Sequence, residues 1–175
     1  MREIRKCKKE EVKKVGEFFD QVVYDMINNH TNYPHWVYQI YPTIDTAKDA
    51  FDKNELYLCL EQQQIVGAFI LNEDPDGAYD KGHWSQDLQD GDYLVIHTLA
   101  VDKKQTGKGI GTSLVAFCIQ EAKQLGYKGL RLDVVPTNSP AMKLYQKMGF
   151  HYIGDEDLQR DLADIPEFSL FEYDY

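Results

Sequence analysis

A group of glycines between two predicted elements is the part of this chain best suited to bind a charged ligand. The segment Tyr93–Val101 is apolar and rich in β-branched residues, which predicts a buried strand. Gly107, Gly109 and Gly111 follow, and a helical pattern of apolar residues begins at Ile110. A strand, a flexible turn and a helix start present backbone N–H groups and the positive end of the helix dipole. The sequence therefore predicts an anion site that suits a phosphate or a pyrophosphate.

Two common phosphate-binding motifs do not match this turn. Counted from Gly107 and Gly109, the dinucleotide fingerprint would need a third glycine where Thr112 stands. A P-loop requires Gly-Lys followed by serine or threonine, but Gly107-Lys108 is followed by Gly109. The spacing therefore weakens the interpretation of the chain as a nucleotide-binding protein.

The turn resembles the pyrophosphate loop of the GNAT N-acetyltransferase superfamily, written Arg/Gln-x-x-Gly-x-Gly/Ala. Gly109 and Gly111 fill its glycine positions, while Thr106 stands where the family has arginine or glutamine. A second segment, Val135–Phe150, is similar to the family's Asn-x-x-Ala-x-x-Leu-Tyr-x-x-x-Gly-Phe segment. Two motifs in the family's order are more specific than a glycine turn alone. The resemblance extends over about residues 50–155.

The resemblance implies the α/β fold of the GNAT acyl-CoA N-acyltransferases. We expect a central, mixed and mostly antiparallel twisted sheet of about seven strands, with splayed fourth and fifth strands and about four flanking helices. The chain of 175 residues suits a single GNAT N-acetyltransferase domain over residues 1–175. The sequence also predicts a first helix over residues 12–26, a short second helix within residues 28–42, another helical turn over residues 44–51, and a last helix capped by Ser139.

The family's reaction moves an acetyl group from acetyl-CoA directly to an amine, without a covalent enzyme intermediate. The resemblance therefore implies an acetyl-CoA-dependent N-acetyltransferase that acts on a primary amine of a small molecule or peptide through a ternary complex. Acetyl-CoA is the expected co-substrate, and no metal is expected. The resemblance assigns three cofactor contacts: an N–H cradle, a strand edge that pairs with the pantetheine arm, and one side chain. The cradle consists of Gly107, Lys108, Gly109, Ile110, Gly111 and Thr112. The strand edge consists of Leu99, Ala100 and Val101, and the side chain is that of Asn138.

Two catalytic roles are implied by position. Tyr145 matches the family's tyrosine, and a phenol with a pKa of about 10 stays protonated at neutral pH and can donate a proton to the departing thiolate. His97 stands four residues before Val101, where family members often have a glutamate, and an imidazole suits a base acting directly or through a water. Strand alternation places His97 on the face of Leu99 and Val101. The alternatives are core packing for Tyr145 and His97, and a turn role for Asn138.

Aromatic residues are expected on the acceptor side of the cleft. In the resembling family the region that corresponds to residues 28–42 lines that side, and here it contains Tyr33 and Trp36. Residues 73–92 form a long acidic loop that includes Trp84, and an acidic rim would attract a cationic amine. Simple aromatic packing and a solvated acidic loop are the alternatives.

The formal charge of −10 argues against nucleic acid as a partner, although Lys103, Lys104 and Lys108 gather positive charge beside the glycine turn.

Three scattered cysteines without a C-x-x-C pair favour a reduced, cytoplasmic protein. The sequence has no apolar run of membrane-spanning length and no signal-peptide core at its start, so no membrane partner is expected. The aromatic last strand could serve as the edge of a homodimer.

Three hypotheses follow for the function. The first is the N-acetyltransferase, and the second is a non-catalytic acyl-CoA-binding or sensor module of the same fold. Retained phosphate and pantetheine sites without turnover would decide for the second. The third is a nucleotide-binding protein, which a thermal-shift comparison of ATP with coenzyme A would test. The first hypothesis leads, because Asn138 and Tyr145 accompany the glycine turn.

Overall fold

The computed structural model describes residues 2–175. Within them, the strands lie at Arg2–Lys6 (β1), Leu56–Glu61 (β2), Gln64–Asn72 (β3), Tyr93–Val101 (β4), Gly129–Val134 (β5), His151–Glu156 (β6) and Phe168–Asp174 (β7). The α-helices lie at Val12–Asn28 (α1), Ile44–Asp52 (α2), Ile110–Gln124 (α3) and Ser139–Lys147 (α4). Short 3₁₀ turns occupy Lys9–Glu11, Tyr79–Lys81 and Lys103–Gln105.

The seven described strands belong to one sheet in the order β1-β2-β3-β4-β5-β7-β6. Antiparallel pairing joins β1 to β2, β2 to β3, β5 to β7 and β6 to β7, whereas β4 and β5 pair in parallel. In this parallel pairing, residues 93–95 of β4 lie opposite residues 129–131 of β5, and both strands continue beyond these residues. The predicted fold class is confirmed, including a fourth and a fifth strand that pair over only part of their length.

Residues 2–71 and 97–117 form one compact unit. Its buried core includes Phe19 from α1 and Leu58 from β2. Helices α1 and α2 approach closely at Gly16, because a Cβ there would lie 2.7 Å from the Cα of Ile44. The face of α1 that its apolar spacing predicts to be buried therefore packs against α2 and the core.

The short helix predicted within residues 28–42 is not formed, whereas the helical turn predicted over residues 44–51 is present as α2. Thr43 caps α2, since its hydroxyl accepts a hydrogen bond from the backbone N–H of Asp45 at 3.2 Å. Residues 29–43 turn repeatedly instead, with left-handed φ angles at His30, His35 and Gln39. The predicted helix within residues 28–42 is therefore wrong, because the chain is capped for a helix only at Thr43.

Residues 72–96 and 118–175 form a second compact unit. Its buried cluster contains Tyr79 from the long loop, Tyr93 from β4 and Leu170 from β7, and Trp84 packs against it. Part of the acidic loop is thus a packed element of this unit. Strand β4 and helix α3 are divided between the two units, and the single-domain assignment stays a prediction.

The last strand, β7, lies between β5 and β6 and pairs with both. The expected use of this strand as the edge of a homodimer is therefore wrong, because its backbone groups are already paired on each side. The outer strands of the described sheet are β1 and β6. None of the helices among residues 2–175 combines the length and the apolar character needed to cross a membrane.

Candidate active site

The glycine turn lies between β4 and α3, as predicted. Gly107 and Gly109 have φ angles of +80° and +73°, which residues with a side chain rarely adopt. A Cβ added at either residue would meet no atom within 4 Å. The two glycines are therefore required for their backbone conformation, and not because a neighbouring group crowds them.

The backbone N–H groups of this turn are the donors to which the predicted anion cradle is assigned. Among the described residues, those of Gly107 and of residues 109–112 donate no hydrogen bond to the backbone, whereas Lys108 N–H donates to Gln105 O at 3.1 Å. Residues 110–112 start α3, where a helix lacks acceptors for its first N–H groups. The Lys108 N–H is thus used inside the turn, which leaves the ammonium group as the part of Lys108 that can meet an anion.

Lysines concentrate beside the turn. Lys103 and Lys104 lie in a 3₁₀ turn that Asp102 caps by accepting a hydrogen bond from Lys104 N at 2.9 Å. Lys108 Nζ donates to Gln105 Oε1 at 3.0 Å. Together with the dipole of α3, these groups create positive potential locally in a chain whose formal charge is −10.

The end of β4 presents alternate half-buried side chains, namely those of His97, Leu99 and Val101. The side chains between them are buried, so burial alternates along this part of the strand. One of these, Thr98, has a φ angle of +50°, which is unusual for a β-branched residue. Its Oγ1 lies 2.5 Å from Tyr41 Oη. This hydrogen bond attaches the aromatic segment 29–43 to β4 at the residue after His97.

Tyr33 and Trp36, the predicted substrate contacts, lie in the same segment. Asn32 holds the backbone of Trp36, because its Nδ2 donates to Trp36 O at 2.7 Å and its Oδ1 accepts from Trp36 N at 3.0 Å. The indole packs against the core and stands edge-on to Tyr41, with centroids 6.3 Å apart. Tyr33 is 40% exposed. Both residues belong to the unit that contains His97, and their contact with substrate stays a prediction.

Tyr145 lies on α4 in the second unit and is 6% exposed. Its ring stands edge-on to Phe150 with centroids 5.5 Å apart and is tilted against Phe171 at 6.5 Å. Burial raises the pKa of the phenol well above its usual range, and the nearby Cys118 and Asp133 raise it further. A phenol in this environment keeps its proton at neutral pH, which a general acid requires.

Asn138 and Trp84 both have structural contacts. The side-chain oxygen of Asn138 caps α4 by accepting a hydrogen bond from Ala141 N at 3.4 Å. The predicted cap, Ser139, is wrong because Ser139 is already the first helical residue. Trp84 Nε1 donates to Tyr79 O at 2.6 Å, and its ring lies over a buried guanidinium. Contacts from Asn138 to cofactor and from Trp84 to substrate stay predictions.

A family model described as the acetyltransferase (GNAT) family matches residues 23–150. This chain belongs to the GNAT family. Its sequence relatives include the mycothiol acetyltransferase of Brachybacterium faecium, 26% identical over 108 residues, and the streptothricin acetyltransferase of Streptomyces lavendulae, 34% identical over 79 residues. The alignments cover 62% and 45% of the GNAT chain and 29% and 42% of the relatives, so the chain spans less than half the length of either protein.

Solved structures have the same fold as this GNAT chain. A GNAT acetyltransferase from Streptococcus agalactiae 2603 gives a TM-score of 0.77 at 16% identity, and the match covers 99% of this chain and 95% of that one. An N-acetyltransferase from Staphylococcus aureus Mu50 gives 0.71 at 23% identity, covering 99% and 98%. The acetyltransferase yncA from Salmonella typhimurium, solved with its cofactor acetyl-CoA, gives 0.69 at 15% identity, covering 99% and 93%.

Asp133 is a polar residue of the second unit that sequence reasoning missed. Its carboxylate accepts a hydrogen bond from Tyr79 Oη at 2.7 Å and from both terminal nitrogens of Arg160 at 2.7 Å. Arg160 also donates to Pro75 O at 3.1 Å, so the network fastens the acidic loop to β5. The available signal was a pair of opposite charges, Arg131 and Asp133, inside an otherwise apolar strand.

Proposed function

We propose that this chain is an N-acetyltransferase that transfers an acetyl group from acetyl-CoA directly to a primary amine of a small molecule or peptide, within a ternary complex. The observation that supports it most directly is the row of N–H groups at residues 109–112, which have no backbone acceptor within the described chain. A diphosphate at a helix start needs such donors. Membership of the GNAT family favours acetyl-CoA as the source of the diphosphate and of the acetyl group.

In this proposal the diphosphate binds to the N–H groups at residues 107 and 109–112, and Lys108 adds its ammonium group. The pantetheine arm is an amide chain, and it pairs with the backbone of residues 99–101 as an added strand would. These residues lie beyond the last residue pair of β4 with β5, which supports their availability for such pairing. Asn138 contributes its side-chain amide, which its capping bond does not use.

The proposed reaction begins when the acceptor amine loses a proton to His97, directly or through a water. The neutral nitrogen attacks the carbonyl carbon of the thioester and forms a tetrahedral intermediate. As the intermediate breaks its C–S bond, the departing thiolate takes a proton from Tyr145. The second proton that the nitrogen must lose then returns the Tyr145 phenolate to the phenol, through water. The products are the acetylated amine and coenzyme A. Burial raises the pKa of the Tyr145 phenol, so the phenol is protonated when the thiolate leaves.

We infer that the acceptor is cationic before it reacts. The formal charge of −10 favours cationic ligands over anionic ones away from the lysines of the glycine turn. Tyr33 and Trp36 are proposed to line the acceptor site, because their segment is hydrogen-bonded to β4 beside His97. We also propose a cytoplasmic location, which the three buried cysteine thiols support.

A panel of amines assayed for thiol release from acetyl-CoA tests the proposal. The panel should include polyamines, amino sugars and lysine-like amines, and the products should be identified by mass. We expect release of coenzyme A with at least one amine, together with the mass of its acetylated form. Binding of coenzyme A without turnover on any amine would favour the non-catalytic acyl-CoA module. No binding of coenzyme A would contradict both functions.

Replacing His97 with alanine should lower turnover by about 10²-fold at pH 7, because a general base contributes at least that factor. The loss should shrink toward pH 10, since an alkylamine with a pKa of about 10.4 is then largely neutral without help. The measurement is kcat against pH for the wild type and the variant. A loss of the same size at every pH would mean that His97 serves packing and not proton removal.

A further inference from the structure

Arg2, at the start of β1, contacts the glycine turn directly. Its Nη2 donates a hydrogen bond to the carbonyl oxygen of Lys108 at 3.1 Å, and its Nη1 reaches the carbonyl oxygen of Gly109 at 3.4 Å. Nη1 also donates to Ser113 Oγ in the first turn of α3 at 2.7 Å. Ser113 Oγ in turn donates to the Gly109 carbonyl at 3.1 Å. One guanidinium therefore holds two successive carbonyl groups of the turn and the helix that follows.

Glu61 also holds this guanidinium. Residues Arg2 and Glu61 are direct partners in the register of β1 and β2. Glu61 Oε1 accepts a hydrogen bond from Arg2 Nε at 2.9 Å and lies 2.8 Å from Nη2. The Arg2 side chain is only 25% exposed. Its planar fork is thus held in one orientation by the sheet, which a flexible surface arginine would not be.

The two carbonyl contacts help to fix where the N–H groups of the turn point, together with the hydrogen bond that Ser113 N–H donates to the Gly109 carbonyl at 3.0 Å. In a trans peptide the C=O of one residue and the N–H of the next point in opposite directions. Arg2 therefore holds the carbonyls of Lys108 and Gly109 on its own side and directs the N–H groups of Gly109 and Ile110 to the other side. These are two of the donors to which the proposed function assigns the diphosphate.

We propose that Arg2 is a positioning residue for coenzyme A, which fixes the amides of Gly109 and Ile110 by holding the carbonyls of Lys108 and Gly109. The inference rests on the proposed function. In this chain the arginine that orders the turn comes from β1, 106 residues before the Lys108 carbonyl that it holds.

Arg5 provides a matched control on the same strand. Its guanidinium is also fixed, by Glu11 at 2.7 Å and 2.8 Å and by Glu3 at 2.9 Å. These partners lie in β1 and in the 3₁₀ turn Lys9–Glu11. Replacing Arg5 with alanine removes the same charge and a similar set of hydrogen bonds without removing a contact to the glycine turn.

The experiment compares acetyl-CoA with acetyl-pantetheine, an acyl donor that lacks the diphosphate. Arg2→Ala should lower kcat/KM for acetyl-CoA at least about tenfold, equivalent to about 1.4 kcal/mol. It should do so mainly through KM, with kcat/KM for acetyl-pantetheine unchanged. Arg5→Ala should leave the ratio between the two donors at its wild-type value. An equal loss with both donors, or no loss with acetyl-CoA, would overturn the positioning role.

Two further variants separate geometry from charge and from folding. Arg2→Lys keeps the charge but lacks the planar fork, so it should not restore the affinity for acetyl-CoA. Full restoration by lysine would overturn the inference. If Arg2→Ala does not fold, Glu61→Gln tests the same point, because it releases the guanidinium while leaving Arg2 in place and should show the same donor-selective loss. Calorimetry of the wild type with coenzyme A comes first, since absence of binding there refutes the proposed function itself.

Discussion

Replacing Tyr145 with phenylalanine should lower kcat by about 10²-fold or more and leave the KM for acetyl-CoA nearly unchanged. The substitution removes one oxygen from a ring that is held by Phe150 and Phe171, so the packing of α4 should survive. A group that donates its proton only as the C–S bond breaks contributes to the transition state and little to ground-state binding. The loss should therefore fall on kcat.

Measuring kcat against pH for both the wild type and Tyr145→Phe gives an independent check on the role of Tyr145. Free tyrosine ionises at about pH 10, and burial raises the pKa of this phenol above that value. Ionisation of Tyr145 is therefore expected only at a higher pH than for free tyrosine. The activity lost in Tyr145→Phe should accordingly be lost evenly across pH 7 to about pH 10, unlike the loss expected for His97→Ala.

Tyr152 supplies the control for this substitution. Its ring also packs on Phe171, with centroids 5.7 Å apart, but it lies on β6 and is largely exposed. Tyr152→Phe should keep wild-type kcat and KM within about twofold, as expected for a change at an exposed side chain that has no proposed role in the chemistry. Wild-type kcat in Tyr145→Phe, or equal losses in the two variants, would remove Tyr145 from the mechanism.

The sequence allowed the segment that contains β4, the glycine turn and α3 to be predicted almost to the residue. Each part of it is determined locally: β-branched residues define the strand, glycines accept positive φ angles, and apolar residues recur at helical spacing. That the first N–H groups of α3 lack an acceptor within the helix follows from helix geometry. Family motifs added the α4 segment and the seven-stranded sheet, which the structure also contains.

Local rules failed where neighbouring residues compete for the same role. Ser139 before Pro140 is a good helix start by composition, but Asn138 caps α4 instead. Thr43 similarly starts α2 after a run of aromatic residues whose turns have no regular period. The left-handed conformation of Thr98 has no sequence signal, because threonine ordinarily favours extended strands. Its contact with Tyr41 comes from a residue 57 positions away.

Polar contacts between distant residues were beyond sequence reasoning for a different reason. In the sequence, nothing distinguishes Arg2 from an ordinary charged surface residue. The folded sheet brings its side chain to the carbonyl of Gly109, which is 107 residues later in the chain. Arg131 and Asp133 alternate with leucines in β5, a pattern typical of a strand with one solvent-facing side. The structure buries Arg131 under the long loop instead, together with a glutamate 41 residues away.

That glutamate, Glu172, should be the most sensitive charged residue for stability. Its Oε2 accepts a hydrogen bond from Arg131 Nε at 2.8 Å, and the two side chains are 0% and 4% exposed. Its Oε1 accepts from Ser85 Oγ at 2.6 Å and from the backbone N–H groups of Ser85 and Gln86 at 3.0 Å and 3.1 Å. The carboxylate thus joins β7, β5 and the loop in one buried contact.

Besides Glu172, the Arg131 guanidinium contacts neutral groups. Its plane lies between the rings of Trp84 and Tyr93, with Cζ 4.2 Å and 4.3 Å from their centroids. Nη2 donates to Gln86 O at 2.9 Å, which is a neutral acceptor. Removing the negative charge of Glu172 therefore leaves a buried cation with only a carbonyl and two aromatic faces to compensate it.

Glu172→Gln should lower the free energy of unfolding by about 3–5 kcal/mol, the usual cost of breaking a buried ion pair from one side. The glutamine oxygen can still accept from Ser85 and Gln86, but its NH₂ group would face the donor Arg131 Nε. Glu17→Gln is the matched control, because Glu17 pairs with Lys13 at 3.8 Å on the surface and is 64% exposed. That change should stay within about 0.5 kcal/mol in the same urea titration.

Combining Glu172→Gln with Arg131→Met should cost less than the sum of the two single losses. Methionine is apolar and flexible enough to fill the space between Trp84 and Tyr93, and it leaves no buried charge without a partner. The difference between the double variant and the sum of the singles measures the coupling, which for a contacting pair is about 0.5–3 kcal/mol. Strictly additive losses would mean that the two side chains act independently, and the buried pair would then not explain how the long loop is held.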